Sequence, residues 1–132
     1  MGFAKLIGII GVPGDRQDSF VKKVGAIAGK IFDRIIIKED KDLRGRRQGE
    51  VARLLWEGVI SSGVPKNQIE IIPDENQALK KAMLEAESGD VIVIFYEDFN
   101  SVIQTLKETA KLVESKEIRK DNKIDVLMGR SG

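Results

Sequence analysis

The chain has 132 residues, 42% of them hydrophobic and 33% charged, with 22 Lys and Arg against 21 Asp and Glu. That size describes one soluble domain, since domains most often run to about 100–150 residues, and a core of that size holds without disulfides or a structural metal. With no Cys and no His, disulfides, thiol catalysis, zinc and iron–sulfur sites and histidine triads are excluded, and a net charge of +1 offers nucleic acid no basic field.

In chain order, Lys5 to Val12 is a continuous apolar run closed by Pro13-Gly14, the pattern of a strand buried on both faces. From Phe20 the residues Val24, Ile27, Ala28 and Ile31 follow at helical spacing, with Asp18 or Ser19 expected to cap the helix. Arg34 to Ile37 reads as a second strand, running into the charged loop KEDKDLRGRRQGE. A second helix is expected from about Gly49 to Ser62, carrying Val51, Leu54, Leu55 and Val59, and it stops at Gly63 with Pro65 beyond. Ile69 to Ile72 is the third strand. Asn76 to Ser88 reads as a helix capped by Asp74 and ended by Gly89, with Leu79, Ala82, Met83 and Ala86 on one face.

Val91 to Tyr96 is the fourth strand, and a last helix is expected from about Asn100 to Ser115 with Val102, Ile103, Leu106, Ala110 and Val113 inward. The segment 123–128 adds a possible edge strand to a tail spanning 116–132. Strands alternating with helices predict an α/β fold, a Rossmann-like three-layer α/β/α sandwich around a mostly parallel sheet, with one domain over 1–132 and its core at about 5–115. The longest apolar runs fall far short of the roughly 20 residues of a membrane span, and the start has no small-residue cleavage site. The expectation is a cytoplasmic chain that meets neither membrane nor nucleic acid.

In such a sheet ligands sit beyond the carboxyl ends of the strands, so the loops carry the candidates. The first, GVPGDRQD, matches neither the dinucleotide fingerprint nor the P-loop. Its glycines serve a tight turn and close helix packing, or else Asp15 accepts from ribose hydroxyls and Arg16 meets a phosphate or carboxylate. The second gathers Glu39, Asp40, Asp42, Arg44, Arg46 and Arg47, with Gly45 allowing a bend. Three arginines beside acids suit a zwitterion, and pairing among themselves on a solvated loop is the alternative. The third, FYEDFN, offers Glu97 and Asp98 to magnesium or an amine, or Asp98 or Asn100 as a helix cap with Tyr96 and Phe99 packing. Trp56 reads as packing, because a stacking face for nucleic acid needs several aromatics.

The run KLIGIIGVPGDRQDSFVKKVGAIAGKIFDRIIIKEDKDLRGRRQGEVARLLWEGV, with its PGDR turn and its ED-x-DLRGR-x-x-GE loop, resembles the C-terminal domain of the Mur ligase superfamily, most of all the form in cyanophycin synthetases. The resemblance covers about Lys5 to Leu106. It implies a lid domain of an ATP-dependent amino-acid ligase, which forms an acyl phosphate with ATP and magnesium and then an amide with the incoming amine. In that family the product is a poly-aspartate backbone with arginine branches, and the ATP and magnesium are held mainly by a central ATPase domain. Residue by residue it implies Gly14, Asp15 and Arg16 at the nucleotide, and Asp40, Asp42, Arg44, Arg46 and Glu97 at the incoming amino acid, arginine being the expected one. No residue is implied as catalytic or as a metal ligand. The Asp-Tyr-Ala-His-Asn-Pro segment and P-loop domain that precede this region in the family are absent from the chain, so the expectation is a domain of a larger synthetase that does not turn over alone. The competing reading is a free-standing α/β module that binds a ligand or partner without catalysis.

Overall fold

The computed structural model describes residues 4–116 and 124–131. Strand β1 (Leu6–Ile10) leads to helix α1 (Asp18–Ile31), β2 (Arg34–Ile37), α2 (Glu50–Ser61), a 3-10 turn (Lys66–Gln68), β3 (Ile69–Ile71), α3 (Glu75–Glu85), β4 (Val91–Tyr96), α4 (Phe99–Lys116) and β5 (Asp125–Arg130). The five strands form one sheet in the order β3-β2-β1-β4-β5. Every pair is parallel, with Ile9 opposite both Ile36 and Ile94. The Rossmann-like sandwich expected from the alternation is the observed fold.

Two apolar layers flank the sheet because side chains alternate along each strand. Ile10, Ile35 and Ile37 face Val21, Ala28, Leu55 and Val59 of α1 and α2, while Ile7, Ile9, Ile36, Ile92 and Ile94 face Leu79, Ala82, Met83 and Val102 of α3 and α4. Helices α1 and α2 approach closely enough that a Cβ on Gly58 would stand 2.0 Å from the Lys22 carbonyl oxygen. That contact turns α1 away from the face its hydropathy suggests. Val21, Gly25 and Ala28 are buried, while Phe20, Ile27 and Ile31 stay 46%, 49% and 54% exposed. The expected stripe is corrected in part: Val24 and Ala28 pack on the core as expected, but Phe20, Ile27 and Ile31 do not, because the glycines, which carry no hydropathy signal, set which side faces the partner helix.

Three boundaries also move. Helix α1 starts at Asp18 after Gln17, with no side-chain cap hydrogen bond, so neither Asp18 nor Ser19 caps it. Helix α3 ends at Glu85, before the expected Gly89, whose φ of +94° serves the following turn instead. Strand β1 ends at Ile10, because Gly11 to Gly14 are already loop, though buried. Of the expected 123–128 edge strand, Lys123 lies outside the described residues, and β5 pairs with β4 from Asp125 to Arg130. Its Val126 and Met128 join the α3–α4 core, whereas Leu127 on the other face is 56% exposed, since α1 and α2 stop short of this edge.

Candidate functional site

With every strand parallel, all βα loops emerge at one edge, and the strand order changes direction between β1 and β4. The crevice there is where an open α/β sheet takes ligands. The turn after β1 and the loop after β2 meet at that edge as one unit. Gly14 is buried against the second loop, and a Cβ on it would lie 2.2 Å from the Leu43 carbonyl oxygen. Arg44 Nη1 donates to Asp15 Oδ2 at 3.0 Å across the same seam, with the two side chains 49% and 53% exposed. That bond is the main reason the Arg44 guanidinium is held above its ordinary pKa. Arg44 adopts a left-handed φ of 48° and Gly45 follows at 89°, the bend expected at that glycine.

Arg46 points inward. Its Nε donates to the Gly14 carbonyl at 2.7 Å and its Nη2 to the Arg16 carbonyl at 2.6 Å, while Asp18 and Glu50 pair with the same guanidinium. Hydrogen bonds to Glu50 and then Asp18 push its pKa up.

Beneath the seam lies a polar hub. Lys38, the first residue after β2, is 0% exposed, and its Nζ donates to Asp40 Oδ1 at 2.8 Å and Glu75 Oε1 at 2.9 Å. Glu75, at the start of α3, in turn accepts from the backbone N–H groups of Glu97 and Asp98 at 2.8 and 2.9 Å. Glu97 accepts from the backbone N–H groups of Lys41 and Asp42 at 2.8 and 3.3 Å. Glu39 is buried and accepts from Gly49 N and Ala52 N, filling donors that the first turn of α2 leaves open. Burying a charge is costly unless it is paired, and among the described residues no buried side-chain polar atom lacks a partner.

The expected residues thus fall into two groups. Gly14, Asp15, Arg16, Asp42 and Arg44 lie at the seam, with Asp15, Arg16, Asp42 and Arg44 exposed. Asp40, Arg46 and Glu97 are engaged in holding the loops. Glu39, Arg44 and Arg46 bond to other elements, whereas Asp40 pairs with Lys38 and Asp42 with Arg44 inside the loop, its Oδ1 accepting from Arg44 N at 3.1 Å and its Oδ2 lying 3.8 Å from Arg44 Nε. Asp98 caps α4, accepting from Ser101 N at 3.3 Å, and the Tyr96 and Phe99 rings meet edge to face at 5.4 Å. Trp56 packs against the core with Lys66 Nζ 5.7 Å from its ring centroid. Lys38 and Glu75 were not anticipated. The signal available was a lysine closing a buried β-branched strand and a glutamate directly after a capping aspartate, both ordinary surface patterns. Among the described residues no cluster of acids is placed to hold a metal ion, and no helix is long and apolar enough to cross a membrane.

Comparison with known proteins matches residues 1–95 to the family model described as Mur ligase, glutamate ligase domain. The chain is 43% identical over 100 residues to a cyanophycin synthetase of Synechocystis sp., covering 76% of this chain and 11% of that protein. A cyanophycin synthetase of Crocosphaera subtropica is 39% identical over 100 residues, with the same 76% and 11% shares. The UDP-N-acetylmuramoyl-L-alanyl-D-glutamate–2,6-diaminopimelate ligase of Thermosynechococcus vestitus is 33% identical over 91 residues, covering 68% of this chain and 17% of that ligase. The chain therefore spans about a tenth of the length of the synthetases it matches.

Proposed function

Because the chain belongs to the Mur ligase C-terminal, glutamate ligase domain family, we propose that it is the mobile lid of a cytoplasmic, ATP-dependent amino-acid ligase of the cyanophycin-synthetase kind. In that reaction a substrate carboxylate takes the γ-phosphoryl of ATP, releasing ADP. The incoming amine then displaces phosphate from the acyl phosphate and loses a proton as the amide forms. ATP and magnesium are held mainly by the central domain of the parent enzyme. The chain carries no P-loop, and the carboxylate of Asp15 suits ribose hydroxyls better than phosphates.

The observation that carries the reading is the seam itself. Its two motif loops, which follow the neighbouring strands β1 and β2, present an exposed carboxylate and an exposed guanidinium side by side at the carboxyl edge of the sheet, Asp15 and Arg44 being 29 residues apart in sequence. Asp15, with Gly14 and Arg16, serves the nucleotide side. Arg44 serves the incoming amino acid's carboxylate by bidentate pairing, with Asp42 beside it for a cationic group, and arginine is the substrate this pairing of charges suits. Asp40 and Glu97 act on that substrate through the loop they hold. The lid's contribution is positioning and charge stabilisation on closure, so the domain alone does not turn over.

The test is to express the complete coding sequence around this domain and to follow ADP release with ATP, an aspartate polymer and each amino acid in turn. Arg44→Ala is expected to raise the amino-acid KM at least tenfold while the ATP KM stays within twofold. An unchanged amino-acid KM refutes the Arg44 assignment, and a coding sequence without a P-loop domain refutes the lid.

A further inference from the structure

We infer that Arg46 is a positioning residue that welds the nucleotide-side turn and the amino-acid-side loop into one body, so that the two substrate sites are set together. This rests on the lid reading for what the two loops bind. The geometry separates Arg46 from its neighbour Arg44. The Arg46 side chain is 13% exposed against 49% for Arg44. Four of its five N–H donors are engaged: the Gly14 and Arg16 carbonyls belong to the first turn, Asp18 is the first residue of α1 and Glu50 the first residue of α2. Its own backbone N–H donates to the Leu43 carbonyl at 3.0 Å, the group that packs on Gly14. One side chain therefore ties both loops to the starts of both helices on that face of the sheet.

To pair in two-pronged fashion with this guanidinium a substrate carboxylate would have to displace a protein carboxylate or strand a carbonyl, whereas at Arg44 it replaces only exposed pairs of little intrinsic strength, with Asp15 at 3.0 Å and Asp42 at 3.8 Å. Lysine cannot stand in for Arg46. Its ammonium is one point of charge on a flexible stem, and the acceptors here are met by the separate edges of a planar fork.

In the full-length ligase, Arg46→Ala is expected to raise the ATP and amino-acid KM values together, each by tenfold or more, with kcat at saturation within about threefold. Arg46→Lys is expected not to restore either. An Arg46→Ala enzyme that raises the amino-acid KM alone, with Arg46→Lys restoring it, overturns the proposal and makes Arg46 a substrate ligand. If Arg44→Ala and Asp15→Ala both leave the two KM values within twofold, the reading of the site fails whatever Arg46 does. Should Arg46→Ala unfold the enzyme, NMR of the wild-type 132-residue chain decides: the Arg46 Nε proton should exchange slowly and keep its shift on titration with arginine. Fast exchange, or a shift that saturates with arginine, overturns the weld.

Discussion

Replacing Lys38 with Met removes the charge that two buried carboxylates share. Lys38 is 0% exposed and Asp40 and Glu75 are 8% and 6% exposed, so their charges are poorly solvated. Breaking a buried pair by deleting one partner costs about 3–5 kcal/mol, mainly because the remaining charge is stranded. Met has nearly the volume of the lysine stem, so the cavity contribution is small. The strain falls unevenly. Glu75 keeps the Glu97 and Asp98 N–H donors, while Asp40 keeps the Ser131 hydroxyl at 3.5 Å, at the limit of a hydrogen bond. Lys38→Met should therefore lower stability by about 3–5 kcal/mol, and adding Asp40→Asn should recover about 1–3 kcal/mol of it. The assay is urea unfolding followed by circular dichroism, with calorimetry in parallel, where the single variant should melt about 10 °C or more below the wild type. A loss under about 1 kcal/mol, or no recovery in the double variant, would refute the account of the hub as an ion cluster that must be paired.

Gly14→Ala places a Cβ 2.2 Å from a backbone carbonyl oxygen, which cannot yield like a flexible side chain. It should cost about 1–3 kcal/mol and weaken the Asp15–Arg44 pairing, measurable as a lost coupling between Asp15→Ala and Arg44→Ala in a double-mutant cycle; an undiminished coupling counts against the seam. Glu70 has its carboxyl held below the ordinary range, first by the hydrogen bond from Lys81 and then by that from Arg34. A lowered folded pKa means its stabilisation is present above the unfolded value, near 4.5, and is lost as pH falls through the folded value. The Tm gap between wild type and Glu70→Gln should thus be open at neutral pH and close in acid below that range, and a gap that widens on acidification would reverse the sign argued here.

Element type was legible in the sequence because it is a local matter. The β-branched run RIII and the uninterrupted VIVIFY became β2 and β4 at the expected bounds, and Asp74 caps α3, accepting from Gln77 N. The fold class followed from alternation alone, and the family resemblance from two short motifs in order. The positions of Gly14, Asp15 and Arg44 in those motifs were readable without coordinates, while their roles remain part of the proposal.

Tertiary structure decided which charges are free. Arg44 and Arg46 sit two positions apart on one loop and are the same residue type, yet one faces solvent beside Asp15 and the other is enclosed by Gly14, Arg16, Asp18 and Glu50. It also decided that Glu97 braces a loop through Lys41, 56 residues earlier, and that Lys38 lies in the core. Sequence pattern reports a side chain's neighbours on its own element, whereas a charge is settled by groups that only the parallel stacking of four βα loops at one edge brings within a hydrogen bond's reach.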